Sequence, residues 1–228
     1  MRIDSKIPEL TRLLGVCALA MLALLLAGCA ARPSLTIAQG ELLDAVDFDA
    51  SYEWENYANV EQGVNFRVED GAYRAEARDR GFTWVLNSTA HTDVVIQVDA
   101  QQVSTFRNNA YGLMCRAAPT NNGDGYYFLI SGDGYYTIRR GATDEVPPLI
   151  PWTRTDAVQQ DQAINRIRIA CVGEYLSLTV NGQFVAETTD DRYHRGFAGL
   201  SAAVVADGDA DIRFDELRIW EGRAAGDS

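Results

Sequence analysis

Residues 165–202 read NRIRIACVGEYLSLTVNGQFVAETTDDRYHRGFAGLSA, and the alternation within them decides the fold class. Ile167, Ile169 and Cys171 fall on one side of a period-two pattern and Arg166, Arg168 and Ala170 on the other, which is how a half-buried strand reads. Gly173 marks a turn, after which Leu176, Leu178 and Val180 repeat the alternation. Asn181-Gly182 supplies the two residues that accept positive φ at the centre of a tight hairpin. The stretch is an antiparallel meander. Its neighbours must be sheet as well, because two or three strands alone cannot bury such a face.

Working outward, the same pattern predicts strands over 42–48, 64–68, 72–77, 83–86, 93–101, 111–116, 126–131, 135–140, 197–204 and 211–220. Glu69-Asp70-Gly71 and Ser131-Gly132-Asp133-Gly134 punctuate them as turns. Pro147, Pro148 and Pro151 are expected to break regular structure, and 155–162 to hold one helical turn. About a dozen short strands at regular spacing predict an all-β, antiparallel two-sheet sandwich.

The amino terminus carries a different signal. Arg2, Lys6 and Arg12 precede an apolar run at 13–27 that closes on Leu26-Ala27-Gly28-Cys29. This reads as a secretory signal peptide over 1–28 with a lipobox, in which small residues admit a peptidase and the Cys29 thiol takes diacylglycerol. The run of about 15 residues falls short of the roughly 20 needed to span a bilayer. Two acyl chains hold a protein stably where one is marginal. The expectation is therefore an exported chain, lipid-anchored at the cell membrane or outer membrane surface. Ala30 after the cysteine resembles lipoproteins passed on to an outer membrane. Residues 29–40 read as a lipidated tether, 41–221 as the domain and 222–228 as a tail.

Removing 1–28 from 228 residues leaves 200, enough for one domain with a developed core. The full chain has a formal charge of −12. Arg2, Lys6 and Arg12 against Asp4 and Glu9 give the leader +1, so the remainder stands at −13. Such a balance excludes nucleic acid as a partner, since phosphate binding needs a cationic surface. A neutral glycan or a basic envelope protein escapes that penalty. Once Cys17 has left with the leader and Cys29 is lipidated, Cys115 and Cys171 remain. Both are in phase with inward strand residues, and an exported domain favours a disulfide between them over two buried thiols.

With these segments in hand, the chain resembles the concanavalin A-like lectin/glucanase jelly roll, in its laminin-G-like form. The residues that carry the resemblance are Asp47-Phe48-Asp49 with Trp54, Gly71-Ala72-Tyr73, the 111–116 and 126–136 segments, Trp152, Val180-Asn181-Gly182 and Phe214-Asp215. It is specific for fold and weak for function, since this superfold hosts lectins, hydrolases and adhesion modules. Domains named 3-keto-disaccharide hydrolases share it.

Retaining glucanases of this fold carry a Glu-x-Asp-x-Glu strand that sets two carboxylates about 5–5.5 Å apart. The sequence has no such run. Asp47/Asp49 and Glu53/Glu55 have the spacing but lack the third carboxylate, and neither His91 nor His194 has a nucleophile elbow to serve. No catalytic residue is assigned. Asp207 and Asp209 alternate as in a calcium loop, without the glycine and glutamate an EF-hand needs, so no cofactor is expected beyond a rim calcium as the weaker alternative to an acidic turn. The binding signal lies in aromatics. Tyr127, on the face opposite Tyr126 and Phe128, is expected to line a shallow stacking platform with Tyr135, Trp152 and Tyr193. On that expectation Tyr127→Ala weakens glycan retention and leaves stability nearly unchanged. The sequence is read as a non-catalytic carbohydrate- or protein-binding module. The alternatives are an accessory subunit of an envelope complex and a sugar hydrolase.

Overall fold

The computed structural model describes residues 32–49, 54–143 and 145–226. The signal segment and Cys29 lie outside the described residues. In chain order the strands are β1 (Ile37–Val46), β2 (Tyr57–Asn59), β3 (Val64–Glu69), β4 (Ala72–Ala77) and β5 (Gly81–His91). There follow β6 (Val94–Gln102), β7 (Ala110–Ala117), β8 (Gly125–Ser131), β9 (Tyr135–Gly141) and β10 (Pro148–Arg154). The last are β11 (Ile164–Val172), β12 (Tyr175–Val180), β13 (Gln183–Thr189), β14 (Gly196–Val204) and β15 (Ala210–Ala224). They form a nine-stranded sheet in the order β13-β12-β11-β6-β15-β4-β3-β2, with β1 also on β15, and a six-stranded sheet in the order β10-β9-β8-β7-β14-β5. Every strand pairing is antiparallel. The expected two-sheet jelly-roll sandwich is the fold.

The meander over residues 165–189 is β11-β12-β13, with Ile167, Ile169 and Cys171 opposite Val180, Leu178 and Leu176. Asn181 and Gly182 turn the chain with φ of 52° and 78°. Asn181 does more than turn: its Nδ2 donates to the Ala157 carbonyl and to Asn165 Oδ1, which ties the 155–163 loop to the hairpin. Between the sheets lies one apolar core, in which Leu113, Tyr126, Phe128 and Ile130 of the six-stranded sheet meet Ile96, Val98, Ile167 and Ile169 of the nine-stranded one. Cys115 of β7 and Cys171 of β11 are joined by a disulfide across this core.

Three local expectations are corrected. Pro148 and Pro151 lie inside β10, an edge strand that borders only β9, the position in a sheet where proline is tolerated; the register shifts twice, at 148/150 and 150/153. Residues 155–162 hold bends, not a helical turn. The strands also run past the expected bounds of 41–221, because β1 pairs with β15 from Ile37↔Ala224 onward.

At one end of the sandwich Arg116, with φ of 53° and its side chain 1% exposed, pins three loops. It donates to the carbonyls of Thr92 (3.0 Å), Gly173 (2.7 Å) and Tyr193 (2.9 Å) and to Asp93 Oδ1 (3.0 Å). Burial lowers its pKa and Asp93 opposes the shift; a buried guanidinium with its donors satisfied is tolerated where an unpaired one is not.

Candidate functional site

Strand alternation puts Phe82, Trp84 and Leu86 of β5 on the outer face of the six-stranded sheet, together with Phe197 and Ala203 of β14, Met114 of β7, and Tyr127 and Leu129 of β8. Arg139 of β9 and Phe82 of β5 are separated by four strand spacings, about 19 Å in a flat sheet. Yet the Arg139 guanidinium carbon lies 5.4 Å from the Phe82 ring centre, so this outer face is concave. Small residues on the middle strands make that possible, for Gly112 stands opposite Ser201, which stands opposite Trp84. Phe82 and Trp84 lean inward over them and meet the Tyr127 ring edge-on at 5.8 and 6.3 Å.

At the β5 edge this arrangement leaves an aromatic cleft of about 390 Å³, lined by Tyr57, Phe66, Phe82, Trp84 and Phe197. Glu55, Gln62, Asn87 and Asn121 bring polar groups to it. Trp84 is held from two sides. Its Nε1 donates to Asn121 Oδ1 at 2.5 Å, and its benzene edge lies against Gly123, where any Cβ would stand 2.9 Å from the ring. Tyr57 is 45% exposed at the rim. Asn87 faces inward, accepting from the Ala198 amide at 3.0 Å. A fixed indole face with amide and carboxylate groups around it is the chemistry that grips a sugar ring, apolar on its faces and hydroxylated on its edge.

A second cleft, of about 580 Å³, is lined by Glu41, Leu43, His91, Asp93, Glu221 and Arg223 at the β1–β15 end, with no Trp, Tyr or Phe in it. Burial lowers the pKa of His91, against Asp44 and with Arg195, so its imidazole is neutral at neutral pH. Two of the acidic groups in this cleft are engaged: Asp93 with Arg116 and the Gly173 amide, Glu221 with Arg223. This cleft offers a base without a free acid from Asp93 or Glu221.

The four predicted platform residues do not come together. Tyr127 has no exposed surface. Phe82 and Trp84 cover it, its hydroxyl donates to the Gly123 carbonyl at 2.8 Å, and burial raises its pKa; it supports the concave face from beneath and offers no ring to a ligand. Trp152 is half-buried against the same outer cluster. Tyr193 instead seals the core, with its ring 5.5 Å from Tyr126 and its hydroxyl donating to the Gly141 carbonyl at 2.7 Å. Tyr135 sits at the far end of β9, opposite Arg154. Asp207, 96% exposed, pairs with Arg80 at 2.7 Å. Among the described residues no group of three or more His, Cys, Asp or Glu side chains is placed to hold a metal ion. Phe82, Trp84, Tyr57 and Phe197 were missed. Phe82 and Trp84 do alternate visibly in sequence, but the strand was expected to start at 83.

A two-sheet antiparallel jelly roll of the kind shared by carbohydrate-binding modules and glycosyl hydrolases is thus defined by fold. The model of the 3-keto-alpha-glucoside-1,2-lyase-like domain matches residues 39–219, and the chain belongs to that family. No curated protein matches it in sequence. Among solved structures it is similar to the carbohydrate binding module CBM66 from Bacillus subtilis, at 14% identity and a TM-score of 0.61 over 74% of this chain and 96% of the module. A putative glycosyl hydrolase from Parabacteroides distasonis aligns at 14% identity and a TM-score of 0.52, over 73% of this chain and 93% of that one. The Bacillus licheniformis beta-glucanase aligns at 8% identity and a TM-score of 0.57, over 81% and 100%. At such identities the likeness is one of fold.

Proposed function

We propose that this protein is a non-catalytic glycan-binding module, exported and held at a membrane surface by a lipid on Cys29. The observation that carries the binding reading is the cleft at Trp84, where an indole locked by Asn121 and Gly123 faces a space of about 390 Å³ with Tyr57 and Phe197 on its walls. Locking the ring in advance removes part of the ordering cost that binding otherwise incurs. The strand residues of the concave face, from Phe82 through Ser201, Gly112 and Leu129 to Thr137, include no carboxylate pair of the sort that hydrolysis of a glycosidic bond requires. Affinity electrophoresis through gels containing neutral polysaccharides tests the reading. The wild type is expected to be retarded by at least one glycan, and Trp84→Ala to lose most of that retardation while melting within a few degrees of wild type. Equal retardation of the two proteins refutes this site. No retardation by any glycan, with capture by a basic envelope protein instead, refutes glycan binding in favour of an accessory role.

The family match favours a second reading, turnover of a 3-keto-disaccharide. A 3-keto group acidifies the proton on C2, so a base that removes it expels the group on C1 and leaves a 1,2-unsaturated sugar. His91, neutral through burial, is the base this chain offers. Release of the aglycone that scales with enzyme and is lost in His91→Gln would replace the first reading with the second.

A further inference from the structure

Arg139 differs in its partners from many arginines of this chain. Nine others, from Arg67 to Arg223, form ion pairs with carboxylates. Arg139 forms none among the described residues, in a protein where 32 acidic side chains outnumber 20 basic ones. It is half-buried on the concave face. Its Nε donates to the Val146 carbonyl at 2.7 Å and its guanidinium carbon lies 5.4 Å from the centre of the Phe82 ring. A ring face attracts a cation but does not replace a counter-ion. Burial alone acts on its pKa, and lowers it. The guanidinium keeps its charge regardless, so this face holds a partly desolvated cation whose two terminal nitrogens have no carboxylate among the described residues.

Position gives that cation a use. Phe82, the ring beneath Arg139, also lines the aromatic cleft, next to Trp84. One of the two directions along a chain stacked on Trp84 leads to Phe82 and Arg139. We infer that Arg139 anchors an acidic group on the bound glycan, so that the cleft selects oligosaccharides bearing an isolated uronic acid or sulfate ester. The inference rests on the glycan-binding reading and adds the ligand class to it. With Nε occupied by Val146, the paired Nη groups remain to meet a carboxylate or sulfate side by side. The net charge of −12 opposes a dense polyanion at long range, whereas an isolated acid group meets mainly the local field, since repulsion beyond about 8 Å is screened at physiological salt.

Titration calorimetry on the full chain, with three matched probes, provides the test. The probes are xylotetraose, xylotetraose with one glucuronic acid branch, and the same oligosaccharide with one sulfate ester. At least one acidic probe is expected to bind roughly 10-fold or more tighter than the neutral one, the scale of a hydrogen bond to a charged group; which of the two does so identifies the acid. Arg139→Gln is expected to abolish that preference and keep the neutral affinity. Arg139→Lys, which keeps the charge without the fork, retains part of it. Arg168, another half-buried arginine without a carboxylate partner among the described residues, lies over Trp220 on the opposite sheet, and Arg168→Gln should change nothing. Equal affinity of wild type for neutral and acidic probes overturns the inference while sparing glycan binding, as does a preference that survives Arg139→Gln in a variant that melts like wild type. Binding of none of the probes, and of no glycan in the gels, overturns both.

Discussion

Removing the bridge between Cys115 and Cys171 should cost this domain about 4 kcal/mol. The two cysteines are 56 positions apart, and closing a loop of that length removes about 14 cal/mol/K of entropy from the unfolded chain on the loop-closure model. The bridge joins β7 of one sheet to β11 of the other through the core, so no other covalent link holds the sheets together at that depth among the described residues. Both side chains are fully buried. For a domain of this size, 1 kcal/mol moves Tm by about 2–4 °C, and the expected fall is about 8–16 °C. The assay is thermal unfolding by circular dichroism of the oxidised protein, of the same protein reduced and held in reductant, and of Cys115→Ala/Cys171→Ala. The reduced protein reports the cross-link alone; the double variant adds a void where two sulfurs stood. A fall of under 2 °C in both, or two thiols that react with a maleimide in the native protein before reduction, would refute the reasoning. A bridge of this kind persists in oxidising compartments, which supports export.

Three further outcomes are expected. Cys29→Ser should leave unprocessed precursor in the membrane fraction, seen by immunoblot as a band about 3 kDa heavier, a difference set by the 28 leader residues; normal maturation would sink the anchor. Tyr127→Ala should cost about 3–5 kcal/mol in urea unfolding, because a fully buried aromatic is deleted from beneath Phe82 and Trp84. Tyr126→Phe should move acid unfolding to higher pH. Burial pushes Asp190 up, but the Tyr126 hydroxyl at 2.6 Å, the Arg192 amide and Arg140 outweigh it and hold the carboxyl below its usual range. A depressed carboxyl contributes stability above its unfolded pKa and loses it as pH falls through the folded one. Loss of the hydroxyl raises the folded value, so the midpoint followed by circular dichroism between pH 5 and 2 should rise in the variant; an unchanged midpoint would show that Asp190 does not depend on Tyr126.

The sandwich was legible because period-two alternation and turn residues are local. Ile167, Ile169 and Cys171 declare an inner face without any knowledge of the partner sheet, and Asn181-Gly182 declares the hairpin. The disulfide followed from phase, since Cys115 and Cys171 both point inward. What alternation cannot say is whether a strand's other face is also covered. β8 is buried at all seven positions, and the unbroken run Tyr126-Tyr127-Phe128-Leu129-Ile130 carried that signal, because a strand covered on both faces reads as continuously apolar. Treating Tyr127 as exposed gave weight to the alternation and overlooked the run. The cleft was illegible for a different reason: β2 and β3 reach the edge of β5 only through the closure of two sheets, a long-range event with no local mark. The prolines misled through a rule that is sound for central strands, while β10 is an edge.

Fold and family leave open whether this face does chemistry, and the concave strands speak to that. Two carboxylates about 5–5.5 Å apart are needed to retain configuration at a sugar, and about 6.5–9.5 Å apart to invert it. Following the ladder rows across the concave face gives Leu86, Gly199, Met114, Tyr127 and Arg139 in one, and Trp84, Ser201, Gly112, Leu129 and Thr137 in the next. Neither row contains an acid. The one charged group is a guanidinium, which donates hydrogen bonds and accepts none, so it serves to hold an anion and has no means of taking a proton. His91, whose pKa burial lowers, lines the cleft at the β1–β15 end, a different set of residues from those around Trp84. His91 and Trp84 thus line separate clefts, and the two proposed roles are separable by substitution: Trp84→Ala should leave a His91-dependent turnover intact on small 3-keto substrates, and His91→Gln should leave glycan retention intact. Loss of both properties in either variant would mean that the two clefts act as one site.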